Sequence, residues 1–285
     1  MASRRTAPAS GRSPSGAHAI VTGGSSGIGL AVAHELVRRG ARVSLVARGE
    51  ERLEKAATEL RAEGAQVATA AVDVADRAAV EASFADLRES QGPCDILVAS
   101  AGLTYPGYFE QLPLEHFREL MEVNYFGMLH AVRAVTPSMI ERRTGSIVGI
   151  SSTAGLIGVF GYSAYGPTKF AVRGLLESLR SELAPHGVHV GCVFPPDTDT
   201  PQLSFEEALK PPETVAISGS IKPISAEQVA RATVEGIEKG RFWIMADVQT
   251  RLLARFGGLG RDLLSWDFDR RVRRVRAAAP ESRGR

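Results

Sequence analysis

Cysteine is scarce: Cys94 and Cys192 are the only two in 285 residues. Two thiols, each beside or inside an apolar segment, make no disulfide framework and read as buried groups of a reducing compartment, which points to a cytoplasmic location. Neither has neighbours at metal-ligand spacing, so no metal site is expected. His186 and His189, in "PHGVH", flank a turn and read as surface residues rather than ligands. Long hydrophobic runs are also missing. No segment approaches the roughly 20 uninterrupted apolar residues of a spanning helix. No apolar stretch follows Arg4-Arg5, which argues against an export signal. Residue 2 is alanine, not the glycine of myristoylation, and the C-terminus has no cysteine to prenylate. Excess charge is absent as well. A formal net charge of +2 gives no electrostatic footprint for nucleic acid.

What remains is an ordinary globular composition with uneven edges. Residues 1–16, "MASRRTAPASGRSPSG", have no apolar run and read as a disordered tail. From Arg251 to Arg285 ten arginines stand against four acids, so that stretch carries about +6.

Between these edges, strand-like and helix-like segments alternate. "HAIVT" precedes a glycine cluster and a helical pattern at Ile28, Val32 and Leu36 that Gly40 stops. "RVSLVA", "QVATAAV", "DILVAS", "SIVGISS", "HVGCVF" and "FWIMA" are the further strands. Helices are expected at 50–63, 76–89, 115–143, 163–185 and 226–239. Continuous apolar strands alternating with helices predict an α/β fold: a doubly wound, Rossmann-type parallel sheet of about seven strands with helices on both faces. Nothing splits it. Residues 17–250 form a single domain, 251–276 a basic amphipathic extension, and 277–285 a second disordered tail.

"VTGGSSGIGLAVA" puts Gly23, Gly27 and Gly29 between a strand and an amphipathic helix. Glycine lets the backbone turn sharply and lets a pyrophosphate approach the amides at a helix N-terminus. The spacing is G-x-x-x-G-x-G, not the G-x-G-x-x-G of the common dinucleotide fingerprint. After the second strand, where NAD-binding proteins place an acid, stand Ala47 and Arg48. A guanidinium there attracts a 2′-phosphate, and Ser25 and Ser26 add hydroxyl donors. This points to NADPH.

Tyr165 and Lys169, in "GYSAYGPTKF", are four apart and share a helix face. An ammonium beside a phenol is expected to lower its pKa from about 10. Tyr162 has Gly166 in the matching position, so Tyr165 is the better acid. Ser152 stands thirteen residues upstream of it, at a strand end where ligands sit in such sheets. Asn124, polar inside an otherwise apolar helix, is placed to interrupt the ladder and hold a water. Singly, each has a plain reading: Ser152 a helix cap, Asn124 a buried amide, Tyr165 a packing aromatic.

Together, TGGSSGIG, "VDV", "ASAG" at 99–102, Asn124, Ser152 and Tyr165-x-x-x-Lys169 resemble the short-chain dehydrogenase/reductase family over roughly residues 17–246. The resemblance implies a tetrad: Tyr165 donates the proton, Lys169 holds the nicotinamide ribose and tunes Tyr165, Ser152 polarises the carbonyl, and Asn124 positions water. It implies cofactor contacts from Gly23, Ser25, Ser26, Gly27, Ile28, Gly29, Arg48, Asp73 and Val74. Ala101, Gly102, Tyr165, Lys169, Pro195, Thr198 and Thr200 would complete them. One departure is visible: Ala99-Ser100 stands where the family has two asparagines, which bears on local bracing rather than on catalysis.

The loop "VFPPDTDTP" at 193–201 is more specific. With "KPPET" after it and "GYSAY" before it, it resembles the 3-ketodihydrosphingosine reductases. The implied reaction is NADPH-dependent reduction of 3-ketosphinganine, a long-chain amino ketone, to sphinganine in sphingolipid synthesis. Asp197 or Asp199 is placed to attract the substrate ammonium, Asp197 the better candidate, with Ser152 on the ketone. The competing use of both aspartates is to cap the short helix starting near Pro201. Leu252, Phe256, Leu259, Leu263 and Trp266 form one apolar stripe among arginines, a pattern for peripheral contact with an anionic membrane face or for packing on protein. The rival readings are a reductase of another lipid-like ketone or alcohol (steroid, retinoid, fatty-acyl) and an inactive NADP-binding sensor. Family analogy also implies a homo-oligomer through the helices at 115–143 and 163–185.

Overall fold

The computed structural model describes residues 12–219, 222–258 and 260–278. Of the tails expected at 1–16 and 277–285, residues 1–11 and 279–285 lie outside the described residues. Residues 12–16, expected in the first tail, are instead pinned to the domain. Arg12 Nη2 pairs with Asp95 at 2.7 Å, and Gly16 N donates to Gly40 O at 2.9 Å.

In chain order the elements are β1 (His18–Thr22), α1 (Gly27–Arg38), β2 (Arg42–Ala47), α2 (Glu50–Ala62), β3 (Val67–Ala71), α3 (Arg77–Gln91), β4 (Ile96–Ala99) and α4 (Leu114–Met121). A π-turn (Glu122–Phe126) joins α4 to α5 (Gly127–Arg142), so the helix expected over 115–143 is continuous but locally widened. Then come β5 (Gly145–Ile150), α6 (Tyr165–Leu183), β6 (Val188–Val193), β7 (Thr198–Asp199), α7 (Pro201–Glu207) and α8 (Pro212–Ser218). The chain continues through β8 (Ile224–Ser225), α9 (Ala226–Glu238), β9 (Trp243–Ile244), α10 (Val248–Phe256) and α11 (Arg261–Ala278). Residues 277 and 278, expected in the second tail, thus finish a helix.

Seven strands pair in the order β3-β2-β1-β4-β5-β6-β9, all parallel. Successive side chains of a strand point to opposite faces. Ala19, Val21, Val43 and Leu45 therefore pack with α1, α2 and α9, while Ile20, Val46, Leu97 and Ala99 pack with α3, α5 and α6. Both faces are covered, which is why the strands read as unbroken apolar runs. Leu36 of α1 and Leu45 of β2 are wholly buried, each removal from water being worth about 1.5–3 kcal/mol. His189 belongs to this interior, not to the surface. As a residue of β6 it is 3% exposed, and its ring meets Ser146 Oγ at 3.2 Å and Arg241 O at 3.0 Å.

The order reverses between β1 and β4, and ligands of such sheets bind in the crevice that the reversal opens at the carboxyl ends. β7 and β8 form a separate two-stranded pair that anchors the loop after β6 above this crevice. The C-terminal extension is two helices rather than one, parted at its glycines. α11 docks on α8 through Arg271, which donates to Ala216 O at 3.2 Å, and Arg276, which pairs with Glu213 at 3.1 Å. Leu252, Phe256, Leu263 and Trp266 remain at least half exposed. Leu259 lies outside the described residues.

Candidate active site

The turn after β1 requires its glycines. Gly23 has φ +68°, and a Cβ there would lie 2.8 Å from Ala101 N; a Cβ at Gly29 would lie 2.3 Å from Gly23 O. The β1–α1 and β4–α4 loops therefore touch backbone to backbone. Thr22 Oγ1 locks them further, accepting from Ser100 N at 3.2 Å and Ala101 N at 3.3 Å. This supplies bracing where the family's asparagine is missing. Ser26 is the extended N-cap of α1, yet its side chain makes no capping bond. The first amides of α1 are thus left for an anion.

Gly23, Ser25, Ser26, Gly27, Ile28 and Gly29 line one wall of a cavity of about 650 Å³. Ala101, Gly102, Pro195, Thr198 and Thr200 line it further along, with Ser152, Tyr165 and Lys169. The proline-stiffened loop passes directly over the turn: a Cβ at Gly27 would lie 3.3 Å from Thr200 Cγ2. Arg48, Asp73 and Val74 stand outside this cavity. Arg48 Nη1 is 3.9 Å from Asp73 Oδ2, both exposed, and the Val74 side chain packs against Gly127. These residues fit a dinucleotide: a helix N-terminus with unspent amides, a glycine cradle that a Cβ would fill, and a cation beyond the second strand.

Tyr165 opens α6 and Lys169 follows one turn later, its Nζ 5.4 Å from the Tyr165 ring centre. Lys169 donates to Ile150 O at 3.1 Å, and Gly102 packs against both Lys169 and Asn124. Asn124 is 2% exposed within the π-turn. Its Oδ1 accepts from Leu103 N at 2.7 Å, and its Nδ2 donates to Leu103 O at 3.0 Å and Thr168 Oγ1 at 2.9 Å. Both amide protons are spent on protein, so the side chain braces the loop after β4 against α6 and does not donate to a water. Ser152 keeps its plain role too, accepting from Ala154 N at 3.1 Å to cap a 3₁₀ turn. That bond uses a lone pair and leaves the hydroxyl proton for a ligand.

The electrostatics correct one expectation. Tyr165 is not lowered by Lys169; burial pushes its pKa up, Glu206 and Asp197 push it further, and Ser152 alone pulls it down. Spacing placed the ammonium near the ring, but the cost of burying a phenolate outweighs that proximity. Lys169 itself is brought down to about 8 by burial. A protonated phenol beside a lysine poised near neutrality suits proton donation. Burial pushes Cys94 up to about 12 and raises Cys192 as well, so both thiols are inert.

Neither aspartate caps α7. Thr200 does, its Oγ1 accepting from Leu203 N at 3.3 Å. Asp199 is exposed, while Asp197 lines the cavity with its Oδ2 3.4 Å from Lys210 Nζ. Sequence reading missed Glu206, which is 8% exposed and accepts from Tyr162 Oη at 2.7 Å within the same cavity. The signal was available: counted from the Thr200 cap, Glu206 lies three residues after Leu203 on the buried face.

The sequence pattern of the family described as short chain dehydrogenase matches residues 17–208. The chain belongs to the short-chain dehydrogenase family. The 3-dehydrosphinganine reductase of Danio rerio is 45% identical over 232 residues, 80% of this chain and 70% of that one. A short-chain dehydrogenase/reductase from Burkholderia phymatum, solved in complex with NAD, superposes with a TM-score of 0.78 at 25% identity. The match covers 88% of this chain and 96% of its own. A short-chain dehydrogenase from Sphingobium yanoikuyae in complex with NADPH gives 0.74 at 28% identity, covering 94% and 98%. The protein is thus an oxidoreductase of this family using a nicotinamide cofactor.

Proposed function

We propose that the enzyme reduces 3-ketosphinganine to sphinganine with NADPH. The observation that carries this is one continuous cavity. It begins at the glycine turn, passes Ser152 and Tyr165, and ends between α8 and the C-terminal helices at Ile217, Leu253, Leu264 and Phe268. A dinucleotide would occupy the first part, and a long alkyl chain would lie along these four apolar side chains at the far end, which Asp267 and Arg271 also line. The similarity to a 3-dehydrosphinganine reductase supports the same substrate.

The chemistry follows from the residues. Ser152 and Tyr165 hydrogen-bond the ketone oxygen, which gains negative charge as the carbon is reduced. Bound NADPH supplies the hydride. Tyr165 Oη–H donates the proton that completes the alcohol, and Lys169 beneath it offsets the phenolate left behind. Asn124 and Thr168 hold α6 in register, Thr168 Oγ1 donating to Tyr165 O at 2.7 Å. Arg48 binds the 2′-phosphate, and Asp73 and Val74 meet the adenine.

The exposed row of Leu252, Phe256, Leu263 and Trp266, edged by Arg255 and Arg270, rests on the cytoplasmic face of an anionic membrane, beside the apolar mouth. Among the described residues no helix is long and apolar enough to cross one. Phe126 and Phe170, exposed near and on the two long helices, are the contacts of a homo-oligomer.

Turnover of 3-ketosphinganine with NADPH tests the substrate, alongside steroid, retinoid and fatty-acyl ketones. Faster turnover of any of those would replace it. No turnover of any ketone with bound cofactor would favour a sensor, a role for which Tyr165 and Lys169 together serve no purpose.

A further inference from the structure

Glu206 has no task in the proton transfer described above. It projects from α7 into the cavity that holds Ser152 and Tyr165. Both of its oxygens are held by neutral donors: Tyr162 Oη at 2.7 Å from Oε2 and Gln202 Nε2 at 3.3 Å from Oε1. The neighbouring cation is Lys210, a side chain 5% exposed, and its Nζ is committed to Asp197 at 3.4 Å. It reaches Glu206 only at longer range. Among the described residues no cation stands within ion-pair distance of Glu206.

Lys169, the other cation whose charge Glu206 feels, also acts only at longer range and stands beneath Tyr165, so the Glu206 carboxylate has no counter-ion in contact with it. A buried carboxylate without a counter-charge is costly, and burial accordingly raises the Glu206 pKa. A ligand that brings a cation removes that cost. We propose that Glu206, held in place by Tyr162, is an ammonium subsite that selects 2-amino ketones over plain ketones. This rests on the substrate reading above and names the residue that would recognise the amine. Asp197, expected from sequence to do so, already has its counter-ion; its part is to keep Lys210 off Glu206.

The placement suits such a substrate. The Tyr162 and Tyr165 rings are 5.6 Å apart and tilted by 53°. The carboxylate bound to one phenol therefore neighbours the proton donor, and its charge raises the Tyr165 pKa. In a 2-amino ketone the amine sits on the carbon next to the ketone. With the ketone oxygen on Tyr165 and Ser152, the ammonium turns toward Tyr162 and Glu206.

Glu206→Gln tests this, because an amide oxygen still accepts from Tyr162 while the charge is lost. On 3-ketosphinganine its kcat/KM should fall by about ten- to a hundredfold, mostly in KM. On 1-hydroxyoctadecan-3-one, the same ketone without the amine, it should change by less than about threefold. Glu206→Asp should restore part of the loss on the amine substrate alone. Equal losses on both ketones, with normal turnover by the unsubstituted enzyme, would overturn the ammonium subsite and leave the reductase reading intact. Binding of dodecylamine against dodecanol, followed by tryptophan fluorescence, needs no turnover. The unsubstituted protein should favour the amine by about tenfold or more and the variant should not. Equal affinities would overturn the subsite whatever the substrate proves to be.

Discussion

Replacing Arg48 with alanine asks the structure which nicotinamide cofactor it was built for. Arg48 stands one residue past β2 with its side chain 57% exposed and its Nη1 3.9 Å from Asp73 Oδ2. An exposed pair at that separation contributes about 0–1 kcal/mol, so holding Asp73 is not reason enough for the guanidinium. Arg48 is the cation immediately past the second strand, with the Arg52 guanidinium beside Gly49 as its neighbour, and Asp73 would repel a 2′-phosphate. A hydrogen bond to a charged group is worth about 1.5–3 kcal/mol. With tenfold per 1.36 kcal/mol, kcat/KM for NADPH should fall about 10- to 150-fold in Arg48→Ala. NADH lacks the phosphate and should keep its value within a few fold. The assay is steady-state kcat/KM with both cofactors, repeated at high salt, where an exposed charge is screened and the NADPH advantage should shrink. Equal use of both cofactors by the unsubstituted enzyme would refute the reasoning. So would an equal loss on both in the variant.

Tyr165→Phe keeps the buried ring and removes the acid, so turnover should drop by about 10²–10⁴-fold with cofactor affinity unchanged in a fluorescence titration. Tyr162→Phe should stay within about tenfold of full activity, and the reverse pattern would reassign the proton donor. Burial holds Lys169 at about 8 in the folded state against 10.5 in the unfolded chain, so below pH 8 it carries its charge at a cost of up to about 3 kcal/mol. Lys169→Met should therefore raise cofactor-free stability at pH 7 while losing activity. That gain should fade as pH rises from 8 toward 10.5, because there only the unfolded chain still binds the proton. A denaturant titration across this range that showed no such fading would contradict the buried ammonium. Leu263→Asp combined with Trp266→Asp should weaken co-sedimentation with anionic liposomes at least about tenfold, with turnover of a water-soluble ketone preserved.

The sheet was legible because strands buried on both faces must be continuously apolar, and "RVSLVA" or "HVGCVF" admits few other fates. Tyr165 and Lys169 were legible because four residues make one helical turn whatever packs around it. What that spacing does not encode is how dry the site becomes, and dryness set the sign of the Tyr165 shift. His189 was misplaced for a related reason. A polar residue next to a turn looks solvated until β6 is found to be an interior strand of the sheet, with Ser146 and a carbonyl there to satisfy the ring. The acidic loop shows the limit most sharply. Asp197 draws the eye because it stands between prolines and threonines, yet its charge is matched by Lys210, thirteen positions on and across a helix. Glu206 draws none, standing in "FEE" beside an exposed twin, Glu207. Only the helical phase separates the two. Thr200 sets that phase as the cap, Leu203 shows which face is inward, and Glu206 follows on that face while Glu207 turns to water. A carboxylate carried inward by phase, in a pocket where Lys210 is already paired with Asp197, is the feature that a search for unusual residues passes over and a search for unbalanced charge finds.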